Sequence, residues 1–502
     1  MMVRRNRTVM VLIAALLMLS AAGAYCFDFS ELQKAVSRTV LDNGLTVIVM
    51  ERHDAPVASM ITFANVGGAD DPKEYTGLAH MFEHMAFKGT KTLGTTDIDA
   101  ELKAMAVEDS VWHELRAERK KGALADSVRL AELEQSFADA IEAANEYVVP
   151  NAFDQILEAE GATGINAGTG KDQTIYMMSL PSNKVELWMA MESERFLNPV
   201  LREMYRERNV IAEERRQTLE NNPIMRTIDA MASTAFSAHP YGISIVGHMS
   251  DIQNYSREAA LEYYNTHYVP SNLIVCVVGD VKAKEVFELA EKYWGRIPYR
   301  PKPEPVATVE PEQLGEKRVS LEDPAQPLIG IAYHVPSGTH PDWPALEALV
   351  DYLGEGRTSL LYTNLAKEKK IAANVGLFLG WPGNKYPCLM FAYAMPSPGH
   401  TNDECEVEIL AEIDRMRNEL IPAEEVEKIK ARAKAHFINS LNSNMGLAMA
   451  LAGFENDRGD WNELFNELDR INAVTAEDIQ RVAQTYLVDR NRTVAKLNTV
   501  EG

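Results

Sequence analysis

Thr76-Gly-Leu-Ala-His-Met-Phe-Glu-His-Met-Ala-Phe-Lys-Gly-Thr90 is the stretch from which the rest of this chain can be read. Leu78, Met81, Phe82 and Met85 recur at helical spacing, so the segment is expected to be a helix with one apolar face. His80 and His84 stand four residues apart, one turn along the same face, where both imidazoles can reach a single metal ion. Glu83 falls between them in sequence, where its carboxylate can contact a water on that metal rather than the metal itself. The plain alternative is a helix that happens to carry two surface histidines. The arrangement around the helix has to decide between them.

Upstream, Val40-Leu-Asp-Asn-Gly-Leu-Thr-Val-Ile-Val-Met50 reads as strand, Asn-Gly turn, strand. Val57 to Val66 is a further apolar strand, and the loop Gly67 to Pro72 leads into the helix. Three strands followed by a helix predict an α+β layer, with the helix on one face of a mostly antiparallel sheet. Downstream, residues 101–146 turn rich in Ala, Glu, Lys, Arg and Leu, with Gly122 as the lone internal glycine. That composition predicts an inserted helical hairpin turning near Gly122 to Ser127. It is read as a solvated insertion in preference to a lid or docking arm. Gly161 to Gly170 is glycine-dense and lacks the G-K-[ST] ending of a phosphate loop. It leads into the strand Thr174 to Leu180, and glycines beside a strand suit a close backbone approach, as at an edge that accepts a peptide.

The sequence then repeats itself. Ser256 to Val275 aligns without gaps on Thr475 to Val494, with Glu258/Glu477, Thr266/Thr485, Val269/Val488, Asn272/Asn491 and Val275/Val494 matching at an offset of 219. The histidine-bearing helix lines up with Ala345 to Gly354 at an offset of 268. The difference, 49 residues, is close to the length of the charged helical stretch. One α+β unit, duplicated, with an insertion in the first copy accounts for all of this. The second copy carries Ala348 and Tyr352 where the histidines would stand, so metal chemistry belongs to the first. The expected division is a first half over residues 27–296 with its insertion at about 101–150, a stiff proline-rich linker over 297–316, and a second half over 317–502. The two halves are expected to face each other across a cleft.

Composition narrows the function. A formal charge of −23 argues against nucleic acid as a partner, whose binding surfaces are basic. Arg4, Arg5 and Arg7 precede an apolar run from Val9 to Leu19, and Ala22-Gly-Ala24 supplies a cleavage site. This is the anatomy of a signal peptide over residues 1–24 and predicts export, to a periplasm or beyond. Its removal takes away three Arg and no acid, carrying the charge from −23 to −26. Cys26 follows Tyr25 rather than a small residue, so no lipid anchor is expected. Four cysteines in a chain of this length do not make a disulfide scaffold; Cys276 reads as packed, and Cys388 with Cys405 is a candidate pair.

A catalytic zinc takes three protein ligands and leaves a position for water. Glu207 and Glu214 are seven apart and share a helix face with Val210 and Ile211, whereas Glu213 points about 100° away. At this point the sequence resembles the inverzincin, or M16 pitrilysin-like, zinc peptidases, in their processing-peptidase-like branch. The resemblance rests on His80-Met-Phe-Glu-His84, Asn166-Ala-Gly-Thr169 with Asp172, Thr174 and Tyr176, and Glu207 to Glu214. His239-Pro-Tyr-Gly242, Tyr268 to Asn272 and Val278-Gly-Asp280 extend it, and it covers the chain from about residue 36 onward. It implies that His80, His84 and Glu214 hold Zn2+, that Glu83 is the general base, and that Glu207 orients a histidine. Asn166 and Ala167 match the family's peptide-binding edge strand. His239 and His248 are assigned structural roles.

One departure bears on function. The family often carries, in its second half, an Arg and a Tyr seven residues apart that help bind substrate and stabilise the oxyanion. Here those positions are Ala366 and Ala373, and Arg357 and Tyr362 lie at the wrong spacing. The preferred explanation is that a related subunit supplies the pair, making this the zinc-bearing member of a heterodimer that cleaves peptides or unfolded segments. A non-catalytic scaffold of the same fold is the rival, and it would need none of His80, Glu83, His84 and Glu214.

Overall fold

A continuous apolar run such as Leu273 to Val278 is what a strand needs when both of its faces are covered. In the computed structural model, which describes residues 29–500, that run is a central strand, buried along its whole length. The first half runs β1 (Val36–Val40), β2 (Thr46–Glu51), β3 (Val57–Ala64), α1 (Leu78–Met85), α2 (Ile98–Arg119) and α3 (Ser127–Asn145). It continues through β4 (Thr163–Thr169), β5 (Thr174–Pro181), α4 (Val185–Leu197), α5 (Met204–Arg215), α6 (Pro223–Ala235), α7 (Arg257–His267) and β6 (Leu273–Gly279). The second half comprises β7 (Lys317–Asp323), β8 (Leu328–Val335), α8 (Trp343–Gly354), β9 (Ala372–Trp381) and β10 (Cys388–Pro396). Then come α9 (Asn402–Asn418), α10 (Ala423–Ser440), α11 (Asn444–Arg458), α12 (Ala476–Tyr486) and β11 (Arg492–Thr499). The signal-peptide reading and Cys26 lie outside the described residues.

The strands form two sheets, ordered β1-β2-β6-β3-β5-β4 and β7-β11-β8-β10-β9. With β1 set aside, the two orders are the same. Each sheet is antiparallel apart from one parallel pair, β2 with β6 and β7 with β11. The duplication is thus visible in topology as well as in sequence. The offset of 219 carries α7 onto α12 and the start of β6 onto the start of β11. The hairpin of α2 and α3 accounts for the larger offset further upstream.

The halves are joined by exchange. α6 packs on β7, β8 and β11 of the second sheet, with Met231 and Ala235 in its core. α11, its counterpart, packs on β3 and β6, where Leu447 and Leu451 meet Ile61, Ile274 and Cys276. Each sheet therefore has its own helices on one face and a helix of the other half on the other. Residues 301–314 form neither helix nor strand, and Glu310 of this segment accepts hydrogen bonds from the amides of Ser237, Ala238 and His239 just after α6 (2.7, 2.9 and 2.9 Å). Cys276, Cys388 and Cys405 are buried free thiols, so the candidate pair is not bridged. Among the described residues no helix is long and apolar enough to cross a membrane.

Candidate metal centre

α1 is held at its start by a carboxylate. Asp71 accepts hydrogen bonds from the amides of Gly77 (2.7 Å) and Ala79 (2.9 Å), two donors that the helix itself leaves unpaired. Gly77 has φ 93°, and a Cβ there would lie 2.4 Å from the Val246 carbonyl oxygen, so only glycine fits. The predicted stripe is the buried face: Leu78, Met81, Phe82 and Met85 enter the core, with Phe82 among the rings of Tyr263, Tyr264 and Tyr268. His80, 7% exposed, and the half-buried His84 leave that face together, their ring centroids 4.8 Å apart.

α5 meets α1 from the side. Ile211 is buried as the helix face predicts, but Val210 is 46% exposed. The two acids lie on the boundary between these flanks, on the rim of the core. Glu214 brings its carboxylate between the histidines, Oε1 to His80 Nε2 at 3.6 Å and Oε2 to His84 Nε2 at 3.3 Å. Glu207, one turn pair earlier, lies on the far side of His84, with Oε2 3.4 Å from Nδ1. Glu213 points outward and pairs with Arg216.

Electrostatics follow from this packing. Hydrogen bonds to Glu207 and then Glu214 push His84 up to about 9, against the cost of burial. Desolvation lowers His80, partly offset by Glu214. Burial works to raise Glu207, but its bonds to His84 and Lys88 outweigh that and hold it below the usual carboxylate range. Glu214 is lowered by its hydrogen bond with His84. Glu83 is near enough to act electrostatically on His80.

A zinc ion bound at ~2.1 Å by a tetrahedron of ligands sets those ligands about 3.4 Å apart. The contacts of 3.6 and 3.3 Å between Glu214 and the imidazoles are of that size, and one ligand atom from each of the three residues lies within 4.8 Å of the others. The two-nitrogen, one-oxygen donor set fits zinc. Among the described residues no other cluster of His, Cys, Asp and Glu has this geometry.

β4 is the edge strand of the first sheet, pairing with β5 alone, and it packs against α1. Asn166 and Ala167 lie opposite Met177 and Tyr176, with Asn166 exposed and Ala167 buried, so the other backbone edge of β4 is open. The duplicate of the metal position, in the second half, is a cavity of about 720 Å³ lined by Ala348, Asp351, Val426 and Ala433. Among the described residues, no clustered set of metal-ligating side chains lies there. Ala366 is partly buried and Ala373 stands exposed at the start of β9. His239 accepts the Tyr241 amide (3.2 Å), and His248, whose amide donates to Thr76 Oγ1 (2.8 Å), precedes a short helix; neither belongs to the cluster of His80, His84 and Glu214.

Two family models match the sequence in order. One, described as insulinase (peptidase family M16), covers residues 46–113 and 141–248; the other, described as the peptidase M16 inactive domain, covers 254–433. The chain belongs to the M16 peptidase family. The break in the first M16 match, residues 114–140, falls within the α2–α3 hairpin. The M16 relatives include a zinc protease PqqE from Helicobacter pylori, 28% identical over 96% of both chains. A probable mitochondrial-processing peptidase subunit beta from Schizosaccharomyces pombe is 24% identical over 92% of this chain and 91% of its own. The crystal structure of a protease from Helicobacter pylori superposes with TM-score 0.77 at 25% identity, covering 92% of this chain and 99% of that one.

The sequence reading missed three groups that brace the site: Asp71, Lys88 and Arg202 make contacts with α1 or the turn after it, and their signal in the sequence is slight, since none stands at a helical spacing that pairs it with its partner.

Proposed function

We propose that this chain is the zinc-bearing subunit of an exported M16 endopeptidase that hydrolyses peptides or unfolded segments. The observation that carries the reading is the convergence of His80 and His84 Nε2 on the Glu214 carboxylate, at 3.6 and 3.3 Å. His80, His84 and Glu214 would hold a zinc ion, which would supply polarisation of the scissile carbonyl and an acidified water with a pKa of ~7. Glu83 takes the proton from the attacking water on its carboxylate and returns it to the leaving amine. Glu207 accepts the Nδ1–H of His84, fixing the tautomer that leaves Nε2 free to ligate. The open edge of β4 at Asn166 and Ala167 pairs with the extended substrate beside α1.

The signal peptide over residues 1–24 directs the chain out of the cytoplasm. The proline-rich segment 297–316 divides a metal-bearing half, 27–296, from a half without ligands, 317–502. A related M16 chain completes the enzyme by supplying the Arg and Tyr that Ala366 and Ala373 do not. The mature chain is expected to hold one zinc, and Glu83→Gln to keep it while hydrolysis of a peptide mixture falls by at least 10³-fold, the scale of losing a catalytic base. A Glu83→Gln chain with unchanged hydrolysis would refute the mechanism. Adding the copurifying M16 chain is expected to raise turnover; full activity from this chain alone would refute the heterodimer.

A further inference from the structure

Glu207 has two carboxylate oxygens, and both are committed. Oε2 faces His84 Nδ1, and Oε1 accepts a 2.6 Å hydrogen bond from Lys88 Nζ. Lys88 also reaches Glu203 Oε2 at 3.3 Å, and the three side chains are only 20%, 11% and 10% exposed. This is not a solvated surface pair of the kind that contributes little. The backbone of Lys88 is fixed as well. Arg202, on the segment leading into α5, donates through Nη1 to the carbonyls of Lys88 (2.7 Å) and Leu93 (2.8 Å), and through Nη2 to that of Thr90 (2.8 Å). Its Nε pairs with the buried Glu101 of α2 at 2.8 Å. The turn that leaves α1 is thus tied to the start of α5 by its main chain and by its lysine.

We propose that Lys88 is a positioning residue of the metal centre, holding Glu207, and through that carboxylate α5, against His84 of α1. The inference rests on the zinc reading above. All the ligands come from these two helices, so what fixes one helix on the other fixes the donor set. Without the ammonium, Oε1 of Glu207 loses its anchor and the carboxylate is free to turn away from the imidazole. Outer partners of ligating histidines typically influence metal affinity by 10–100-fold.

Zinc release into a chromogenic chelator tests this without reference to catalysis, using the mature full-length chain, Lys88→Met, Lys88→Arg, Glu207→Gln and the Lys88→Met/Glu207→Gln double variant. Lys88→Met is expected to release zinc roughly 10–100-fold faster than wild type, with Lys88→Arg restoring most of the difference. The double variant is expected to release zinc no faster than Glu207→Gln alone, because Lys88 acts through that carboxylate. It also removes the unpaired buried charge and so keeps the comparison open if Lys88→Met folds poorly. Equal release from wild type and Lys88→Met, or additive effects in the double variant, would overturn the inference. A wild-type chain that takes up no zinc would overturn the zinc reading instead.

Discussion

His267 lies in α7 with Nδ1 buried and without a hydrogen-bond partner, its ring 4.5 Å from that of Tyr263. Desolvation, with a smaller effect from Lys385, lowers it to about 4. An unfolded histidine titrates near ~6.5, so between those values the unfolded chain binds the extra proton. The contribution of this residue to stability is therefore undiminished above about 6.5 and is lost as pH falls toward 4. Urea midpoints measured across this window should fall less steeply for His267→Asn than for wild type; parallel curves would refute the assignment. At the same scale, the pairing of His80 with His84 was legible because a spacing of four puts both on one helix face; a spacing of seven put Glu207 and Glu214 on another, and the resemblance told the proposed ligand Glu214 from Glu207, which faces His84. Asp71 and Lys88 have no such period: Asp71 meets main-chain amides of the turn that follows it, and the partner of Lys88 comes from a segment brought close by the fold. The flank holding Val210 could not be read either, as a helix face shows neighbours in sequence but not which side is roofed.

The inserted hairpin has a wet tip and a dry base. Leu124 and Val128 at the turn are 88% and 66% exposed, whereas Trp112 is buried against Phe137 and Tyr205, with Arg208 stacked 4.2 Å over its indole. Tyr205 and Arg208 belong to α5, so the insertion supports the helix that carries Glu207 and Glu214. Trp112→Ala is expected to cost about 3–5 kcal/mol in denaturant unfolding. Leu124→Ser at the tip should change stability by no more than about 0.5 kcal/mol. The hairpin was legible from composition, because a long Ala/Glu/Lys/Arg stretch broken once by glycine has few other outcomes. The solvated character expected of it holds at the tip only. β4 was less legible. Glycine weakens strand propensity, and residues 163–169 form a strand because an edge position asks for one ladder rather than two.

At the scale of the molecule, the exchange of α6 and α11 makes the two halves one folding unit. Leu451 on α11 is fully buried against the first sheet, and Leu451→Ala should destabilise by about 2–5 kcal/mol although the residue belongs to the second half of the sequence. Chains cut at residue 300 are expected to be insoluble alone and to recover a folded, zinc-binding complex only when coexpressed. Gel filtration of the pieces checks this, and a soluble monomeric first half would refute it. The duplication was readable from matched residues, and the sheets bear it out strand by strand. The exchange was not, since an amphipathic helix declares that it covers an apolar surface without declaring which one.

The same exchange has a consequence for biosynthesis. Its first sheet is complete in sequence once β6 has left the ribosome at Gly279, but the helix that covers its far side begins at Asn444. About 165 residues separate them, roughly ten to thirty seconds of elongation at ~5–20 residues per second. For that interval Ile61, Ile274 and Val278 have no cover of their own, and the nascent chain presents a ready target for a holding chaperone.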